Sequence, residues 1–559
     1  MTKEIIQLHN QYSPWTNLRS GQNTCWFKGS IFHKNKLLND TETADLLSSI
    51  ASEEKIIAES LSELNGEYAM VIETPETIIT IVDRVRSIPL FYAETDRQTI
   101  ISDDANHIRE AIPTELNELN AAEFLLTGFV TGSDTLFNDI RQLQAGEYLI
   151  YDKKRSLLRT DRYHRFLHGN YFPDSEDILL EKLDQVFLNV FRRLVATTVE
   201  QGKRIVVPLS GGLDSRIIVA MLKRLGVEDV ICFTYGKKGN KEADISRQVA
   251  EALGYEWHFV EYTKEKWYDC YHSKDMKDYQ KYAGNLVSLP HLQDFLALKI
   301  MKEEGILPEN AVFVPGHSGD MLAGSHIPLD YDQTQTYNFE KFLEDSLNKH
   351  YNLWKYDEIR LRYIFKERIK KSVGAISVHD NESCANVIEY FNFKERQAKF
   401  IVNSVRIYEF FGYTWQIPLW DAELIDYFLR INIEKRINQT IYISYTNQNC
   451  FVKSSRTLFA IECTTNLNNK STQKIHICSL FINYLLGRYF IFEIGWSLVY
   501  KHPLWQKIVT YACGTNINPV IQHPFISQLI INSNKARFVP STNGIMSYEF
   551  LKQYLLGSK

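Results

Sequence analysis

The chain predicts an α+β sandwich followed by an α/β parallel-sheet domain with a helical C-terminal part. Three observations carry this. The first 165 residues hold short runs rich in Ile, Val, Thr and aromatics, the composition of half-buried strands. From Arg204 onward strands alternate with helices of 10–15 residues, the signature of βαβ units and a parallel sheet. From about Tyr331 the sequence reads as mostly helical and rich in aromatics.

In order, "TCWFKGSIF", "EYAMVIE" and "TIITIVDRV" read as strands, and "AGEYLIYDKKRSLLRTDRY" as a hairpin turning at Asp152 to Arg155. "NAAEFLLTGF", Asn120 to Phe129, reads as a short helix capped by Asn120. "FLHGNYFP", Phe166 to Pro173, is a linker, so the expected domains are 1–165 and 174–559. After it, Leu179, Leu183, Val186, Val190 and Leu194 recur at helical spacing, with Asp174 or Ser175 as cap and Gly202 as stop. Then come strand "RIVVPLS", helix "SRIIVAMLKRLG", strand "DVICFTYG", helix "EADISRQVAEALG" and strand "EWHFVEY". Helix "LPHLQDFLALKIMKEEG" and strand "NAVFVPG" follow. "TTNLNNKSTQK", Thr464 to Lys474, is polar and loop-like.

A chain of 559 residues, 44% hydrophobic and 23% charged, can bury a large core without staples. Its formal net charge of −5 gives no general attraction to nucleic acid or to an anionic membrane. Cys25, Cys232, Cys270, Cys384, Cys450, Cys463, Cys478 and Cys513 are scattered and form no CxxC pair. That usage suits reduced thiols in a cytoplasmic protein. The start "MTKEIIQLHNQYSPW" lacks an apolar signal core. The run Cys478 to Tyr500 is long enough to span a membrane, but Asn483, Arg488 and Glu493 interrupt it; a buried or interface helix is expected.

The chemistry concentrates in "PLSGGLDS", Pro208 to Ser215, between a buried strand and a helix. Gly211 and Gly212 let the backbone turn tightly and approach a ligand. The amides of Gly212, Leu213 and Asp214 open the helix, where free N–H groups and the helix dipole favour an anion. Ser210 and Ser215 add hydroxyls. The ligand this predicts is phosphate or pyrophosphate. No GK[ST] follows, so this is no Walker A loop. Asp214 would repel phosphates unless a divalent cation lies between, and Mg²⁺ takes carboxylate and phosphate oxygens together.

"SGGLDS" resembles the signature of the PP-loop ATP pyrophosphatases, which split ATP into AMP and pyrophosphate. "NAVFVPGHSGDMLAGSH", Asn310 to His326, resembles the "GxGSDExFGG" element of asparagine synthetases and β-lactam synthetases. The resemblance implies that Asp214 and Asp320 hold Mg²⁺ on the ATP phosphates. It places Pro208 and Leu209 along the nucleotide, Tyr235 and Gly236 at the adenine pocket, and Pro315 and Gly316 at a contact before the acidic turn. Glu242 stands where the family has an acidic residue opening the next helix; a solvated first-turn carboxylate is the other reading. "LNGEYAMVIETPETIITIVDRVRSIPLFYA", Leu64 to Ala93, is similar to the family's "LxGxFAFAxxD…RDxxGxxPLYY", and Thr135 to Asp152 to its "TxFxxIxxLxPGxxL". The match covers roughly residues 20 to 430, so the first domain resembles the Ntn-hydrolase-like glutaminase domain of class II amidotransferases.

The chain departs from that pattern at several chemical positions. A glutaminase of this class uses an N-terminal cysteine, and position 2 here is Thr2. Cys25 reads as an internal strand cysteine. Asn65 to Glu67 mimics the family's glutamine-binding Asn-Gly-Glu but aligns with a later strand. The domain is therefore expected to be a degenerate glutaminase used for structure. In the acidic turn the catalytic glutamate is replaced by His317, and the acid after Asp320 by Met321. "FGYTWQIPLWD", Phe411 to Asp421, resembles "SLExRxPFLD", with Thr414 and Gln416 for its Glu and Arg. Lys435 and Lys453 are candidates for the lysine that neutralises phosphate in the transition state.

The expected activity is ATP-dependent amide-bond formation: a carboxylate is adenylated and ammonia or an amine takes the acyl group, with His317 as a candidate general base; a histidine that only hydrogen-bonds within the turn is the other reading. Asparagine synthesis is the family's default. Amidotransferases or cyclases of surface-polysaccharide, β-lactam or lasso-peptide type are alternatives, as is an ATP-binding relative without ligase activity. Expected ligands are ATP, Mg²⁺, a small carboxylate and an amine or ammonia. A homodimer is an expected assembly; nucleic acid and membrane are not expected partners.

Overall fold

In the computed structural model, residues 5–451 and 542–555 are described, apart from 10, 97, 329–337, 355, 357 and 358. The expectations for Thr2, Lys453, Cys463, Cys513, Thr464 to Lys474 and Cys478 to Tyr500 lie outside the described residues. Among those described, no helix is long and apolar enough to cross a membrane.

The first half is a layered sandwich. Strands β2 (Thr16–Ser20), β3 (Asn23–Gly29), β7 (Tyr68–Glu73), β8 (Thr77–Val82), β12 (Glu147–Asp152) and β13 (Leu157–Arg162) form an antiparallel sheet in the order β13–β12–β8–β7–β3–β2. Side chains alternate between its faces. Tyr68, Met70 and Ile72 pack under helices α1 (Asp40–Ser52) and α2 (Ile57–Ser62), with Leu47 and Leu61. Ala69 and Val71 face the second sheet. That sheet runs β1 (Ile6–Gln7), β10 (Gln98–Ser102), β9 (Phe91–Thr95), β11 (Ile140–Gln142), and its β1–β10 pair is parallel. A small sheet joins β4 (Phe32–His33), β5 (Lys36–Leu37) and β6 (Leu64–Asn65).

The expected hairpin forms: β12 pairs with β13, and the Asp152 carboxylate accepts the amides of Lys154 and Arg155, each at 2.9 Å. One cap moves. Helix α4 spans Glu118–Thr127 (after α3, Ala105–Ala111), and Asn117 is its N-cap, accepting from the Asn120 amide at 2.9 Å. Asn120 is buried, and its Nδ2 donates to the Thr135 carbonyl, so burial overrides its capping propensity. Cys25 is fully buried in β3 between Leu18 and Ile72, and burial pushes its thiol up to about 11. It is the internal strand cysteine the sequence predicts.

The second half is built on an all-parallel sheet in the order β16–β15–β14–β17–β18. Its strands are β14 (Arg204–Pro208), β15 (Val230–Gly236), β16 (Glu256–Glu261), β17 (Ala311–Phe313) and β18 (Thr414–Trp415). Ile205, Val206 and Val207 are fully buried in the central strand, as a strand covered on both faces requires. Helix α5 (Glu176–Thr197) precedes β14, α6 (Leu213–Arg224) leads to β15, and α7 (Lys241–Leu253) leads to β16. The chain then returns to the other side of β14. Strand order therefore reverses between β14 and β17, and ligands of such sheets bind at the carboxyl ends of the strands flanking that switch point. Both glycine-rich loops emerge there.

Asn65 and Glu67 have a structural task. Asn65 Nδ2 donates to Asp421 at 3.0 Å, its Oδ1 accepts from the Ala422 amide at 2.9 Å, and Glu67 accepts from the Ile417 amide at 3.0 Å. The triplet thus holds "QIPLWD" at the seam between the halves. Arg193 adds a two-pronged ion pair to Asp421. These residues line a cavity of about 30 Å³ with Asp83, Arg84 and Trp420. Burial, with Asp83 and Asp421 nearby, pushes Glu67 up to about 7. Its native state therefore holds a proton that the unfolded chain releases near the ordinary glutamate value, so its contribution declines as pH rises from about 4 to about 7. Glu67→Gln is expected to remove about 3 kcal/mol of that decline, read from denaturant unfolding across this pH range.

Candidate functional site

The first loop follows from the end of β14. Leu209 is fully buried and its amide continues the ladder to the Phe233 carbonyl, so only its backbone reaches the crevice. Ser210 and Ser215 close the loop across its mouth. The Ser210 amide donates to Ser215 Oγ at 3.1 Å, the two hydroxyls lie 3.1 Å apart, and the Gly212 amide donates to Ser210 Oγ at 3.1 Å. Gly212 is the N-cap of α6 and gives it no side-chain cap. The Leu213 and Asp214 amides belong to the first turn, whose N–H groups lack intrahelical partners. Arg216 folds back onto the carbonyls of Gly211 and Gly212, setting a positive charge beside the loop. Glu242 in the first turn of α7 lies over Gly211, where an added Cβ would stand 3.4 Å from its Cγ; burial raises this carboxyl.

The acidic turn packs directly on the start of α6. A Cβ at Gly316 would lie 2.7 Å from the Ser215 amide nitrogen, and one at Gly319 would lie 2.8 Å from Asp214 Oδ1. These close approaches are why glycine stands at both positions. The Asp320 amide donates to Asp214 Oδ2 at 3.2 Å, and the Ser325 hydroxyl donates to Asp320 at 2.9 Å. Burial and the Asp320 carboxylate together push Asp214 up to about 7. Gly319→Ala is expected to weaken nucleotide binding about tenfold, because the overpacking separates the two loops; titration calorimetry with ATP measures it.

Two hard carboxylates whose charges repel each other are a fit donor set for a divalent cation. Among the described residues no group of three or more His, Cys, Asp or Glu forms a cage. A cation here would therefore complete its shell from the oxygens of a bound phosphate and water.

Tyr235 and Gly236 end β15 beside the crevice, but the Tyr235 hydroxyl is committed to Asp294 at 2.6 Å and its ring stacks on Tyr262 at 4.9 Å. Pro315 is buried, and its carbonyl accepts from the His317 amide at 2.9 Å. The His317 ring bonds to Ser404 Oγ; burial and neighbouring His291 push it down to about 4. Thr414 and Gln416 do not join this loop pair. They extend the sheet beyond β17, where the Gln416 amide donates to the Phe313 carbonyl at 2.9 Å.

Lys435 sits half-buried on the short helix Ile433–Arg436. Among the described residues of this region, Tyr442 on the helix Thr440–Tyr445 reaches the first loop, and its hydroxyl donates to Asp214 Oδ1 at 2.7 Å. Its neighbour in sequence Arg436 is wholly buried beneath the acidic turn. It pairs in a fork with Glu389 at 2.9 and 3.0 Å and donates to the Leu322 carbonyl at 2.7 Å. Tyr442, Arg216 and Ser404 carried no motif. Their part depends on contacts distant in sequence or, for Arg216, on a side chain turning backward.

Residues 187–444 match the family model for asparagine synthase, and residues 28–164 match that for a glutamine amidotransferase domain. A probable asparagine synthetase (glutamine-hydrolysing) of Acanthamoeba polyphaga mimivirus is 28% identical over 106 residues, covering 19% of each protein. A 7-cyano-7-deazaguanine synthase of Cupriavidus pinatubonensis is 47% identical over 53 residues, 9% of this chain and 24% of that enzyme. The chain thus spans between 19% and 24% of these relatives' own lengths. Similar solved structures include the B. subtilis glutamine phosphoribosylpyrophosphate amidotransferase complexed with ADP and GMP, at 12% identity and a TM-score of 0.19, covering 45% of this chain and 49% of that one. The NH3-dependent NAD synthetase of Campylobacter jejuni is 13% identical with a TM-score of 0.20, covering 35% and 94%.

Proposed function

Because this chain belongs to the asparagine synthetase family, we propose that it is a ligase that adenylates a carboxylate with ATP and passes the acyl group to ammonia or an amine. The observation that supports this most is the hydrogen bond from the Asp320 amide to Asp214, which joins the helix-start loop and the acidic turn at the sheet's switch point.

The pyrophosphate end of ATP lies on the first turn of α6, where amides and the helix dipole meet its charge. Asp214 and Asp320 would hold Mg²⁺, which would supply neutralisation of charge on the phosphate oxygens. Ser210 and Ser215 orient the loop. A carboxylate oxygen attacks the α-phosphorus, the bond to the bridging oxygen breaks, and pyrophosphate leaves. The amine then attacks the acyl carbon, AMP leaves with the bonding pair, and the amine gives up a proton. His317 is the base for that proton: neutral in the free protein, its basicity rises beside bound phosphates. The first domain acts as a structural partner, since its cysteine in β3 is buried and its Asn-Gly-Glu triplet is spent on the seam.

The test is pyrophosphate release from ATP with Mg²⁺, screened against aspartate plus ammonia, glutamine and pooled cell metabolites. Release that requires a carboxylate supports the ligase reading. ATP binding without turnover in any pool supports a nucleotide-binding role instead.

A further inference from the structure

Ser404 lies in the single turn Val402–Val405 that follows the π-helix Phe393–Ile401. Its Oγ stands 2.6 Å from the Ile401 carbonyl oxygen and 2.5 Å from His317 Nε2. A serine hydroxyl has one proton, and a carbonyl oxygen can only accept. Donation to Ile401 leaves Oγ as an acceptor, so the hydrogen bond to the ring requires a proton on Nε2. The ring is neutral at pH 7, because burial and His291 disfavour its charged form. With Nε2 protonated, Nδ1 carries the lone pair.

We propose that Ser404 is a positioning residue that locks His317 in the Nε2–H tautomer and so makes Nδ1 the atom that takes the proton of the attacking amine. The base role rests on the ligase reading above; the tautomer does not, and it is measurable without substrate. Ser404 supplies the acceptor, and the Ile401 carbonyl fixes the direction of its hydroxyl.

The experiment uses the full chain labelled with ¹⁵N-histidine, with His317→Asn to assign the signal among the 15 histidines. Long-range ¹H–¹⁵N spectra are expected to show a protonated Nε2 and an unprotonated Nδ1 for His317. Ser404→Ala should mix or invert the tautomers and lower amide formation by about tenfold, within the range of general-base effects. Ser404→Thr, which keeps the hydroxyl, should restore both. A wild-type Nδ1–H tautomer, or an unchanged tautomer in Ser404→Ala, overturns the lock. A changed tautomer with unchanged amide formation overturns the assignment of Nδ1 as the base. If the wild-type protein forms no amide with any acceptor, the ligase reading and with it the base role fail, while the spectra still decide the lock.

Discussion

Asp214→Asn is expected to reduce carboxylate-dependent pyrophosphate release on the order of 10²- to 10³-fold, and at the same time to raise the melting temperature of the free protein. Both effects come from one arrangement. Asp214 is held beside Asp320 in a buried crevice, and its carboxyl is pushed up to about 7 by burial first and by Asp320 second. A carboxyl raised in the native state binds a proton that the unfolded chain has released at the same pH. Its contribution to stability therefore declines between about pH 4 and pH 7 and stays low above that. Asparagine is neutral and nearly isosteric, so at pH 8 it removes the repulsion. On the proposed ligase reading it would also remove the negative charge a bound cation needs, and with it neutralisation of the leaving pyrophosphate. Steady-state pyrophosphate assays and thermal unfolding at pH 5 and pH 8, both without nucleotide for the second measurement, separate the two. The stabilisation should be larger at pH 8.

Arg436→Met is expected to cost about 3–5 kcal/mol of stability. Both Arg436 and Glu389 are wholly buried, and the guanidinium also satisfies the Leu322 carbonyl in the acidic turn. Removing the guanidinium leaves the buried Glu389 carboxylate with His168 Nε2, at 2.7 Å, in place of a full counter-charge. Chemical denaturation measures the loss. Arg436→Met combined with Glu389→Leu should recover much of it, because the uncompensated charge is then gone. The double variant should remain impaired in turnover, since the Leu322 carbonyl loses the donor that braces the turn carrying Asp320.

Local pattern made much of this protein readable. The strand–glycine–helix text at Pro208 to Ser215 needs only its neighbours to fold, and α6 begins at Leu213, two residues before the start read from "SRIIVAMLKRLG". The hairpin at Asp152 is equally local. Its turn is set by one side chain accepting two nearby amides. The Asn-Gly-Glu triplet was separable from its functional look-alike because the flanking strand text aligned elsewhere, but its partner segment, Ile417 to Ala422, lies some 350 positions on and had no local sign. A separation of 228 positions hid Tyr442. The resemblance points to a lysine after "PLWD"; among the described residues the fold brings a tyrosine hydroxyl to Asp214 and turns the nearby arginine inward to Glu389. Leu209 and Tyr235 sit at strand ends facing the crevice, with the leucine side chain in the core and the tyrosine hydroxyl bound to Asp294. The resemblance implies contacts made mostly by backbone groups there, and these side-chain placements are compatible with that.

The fate of ATP's phosphates separates adenylation from simple hydrolysis. With Mg²⁺ and a pool of cell metabolites containing the carboxylate substrate, the wild-type protein should convert ATP to AMP and pyrophosphate. It should also exchange labelled pyrophosphate into ATP, and both should be lost in Asp214→Asn and Asp320→Asn. Formation of ADP and phosphate in their place, or AMP formation that survives both substitutions, would contradict adenylation at this site.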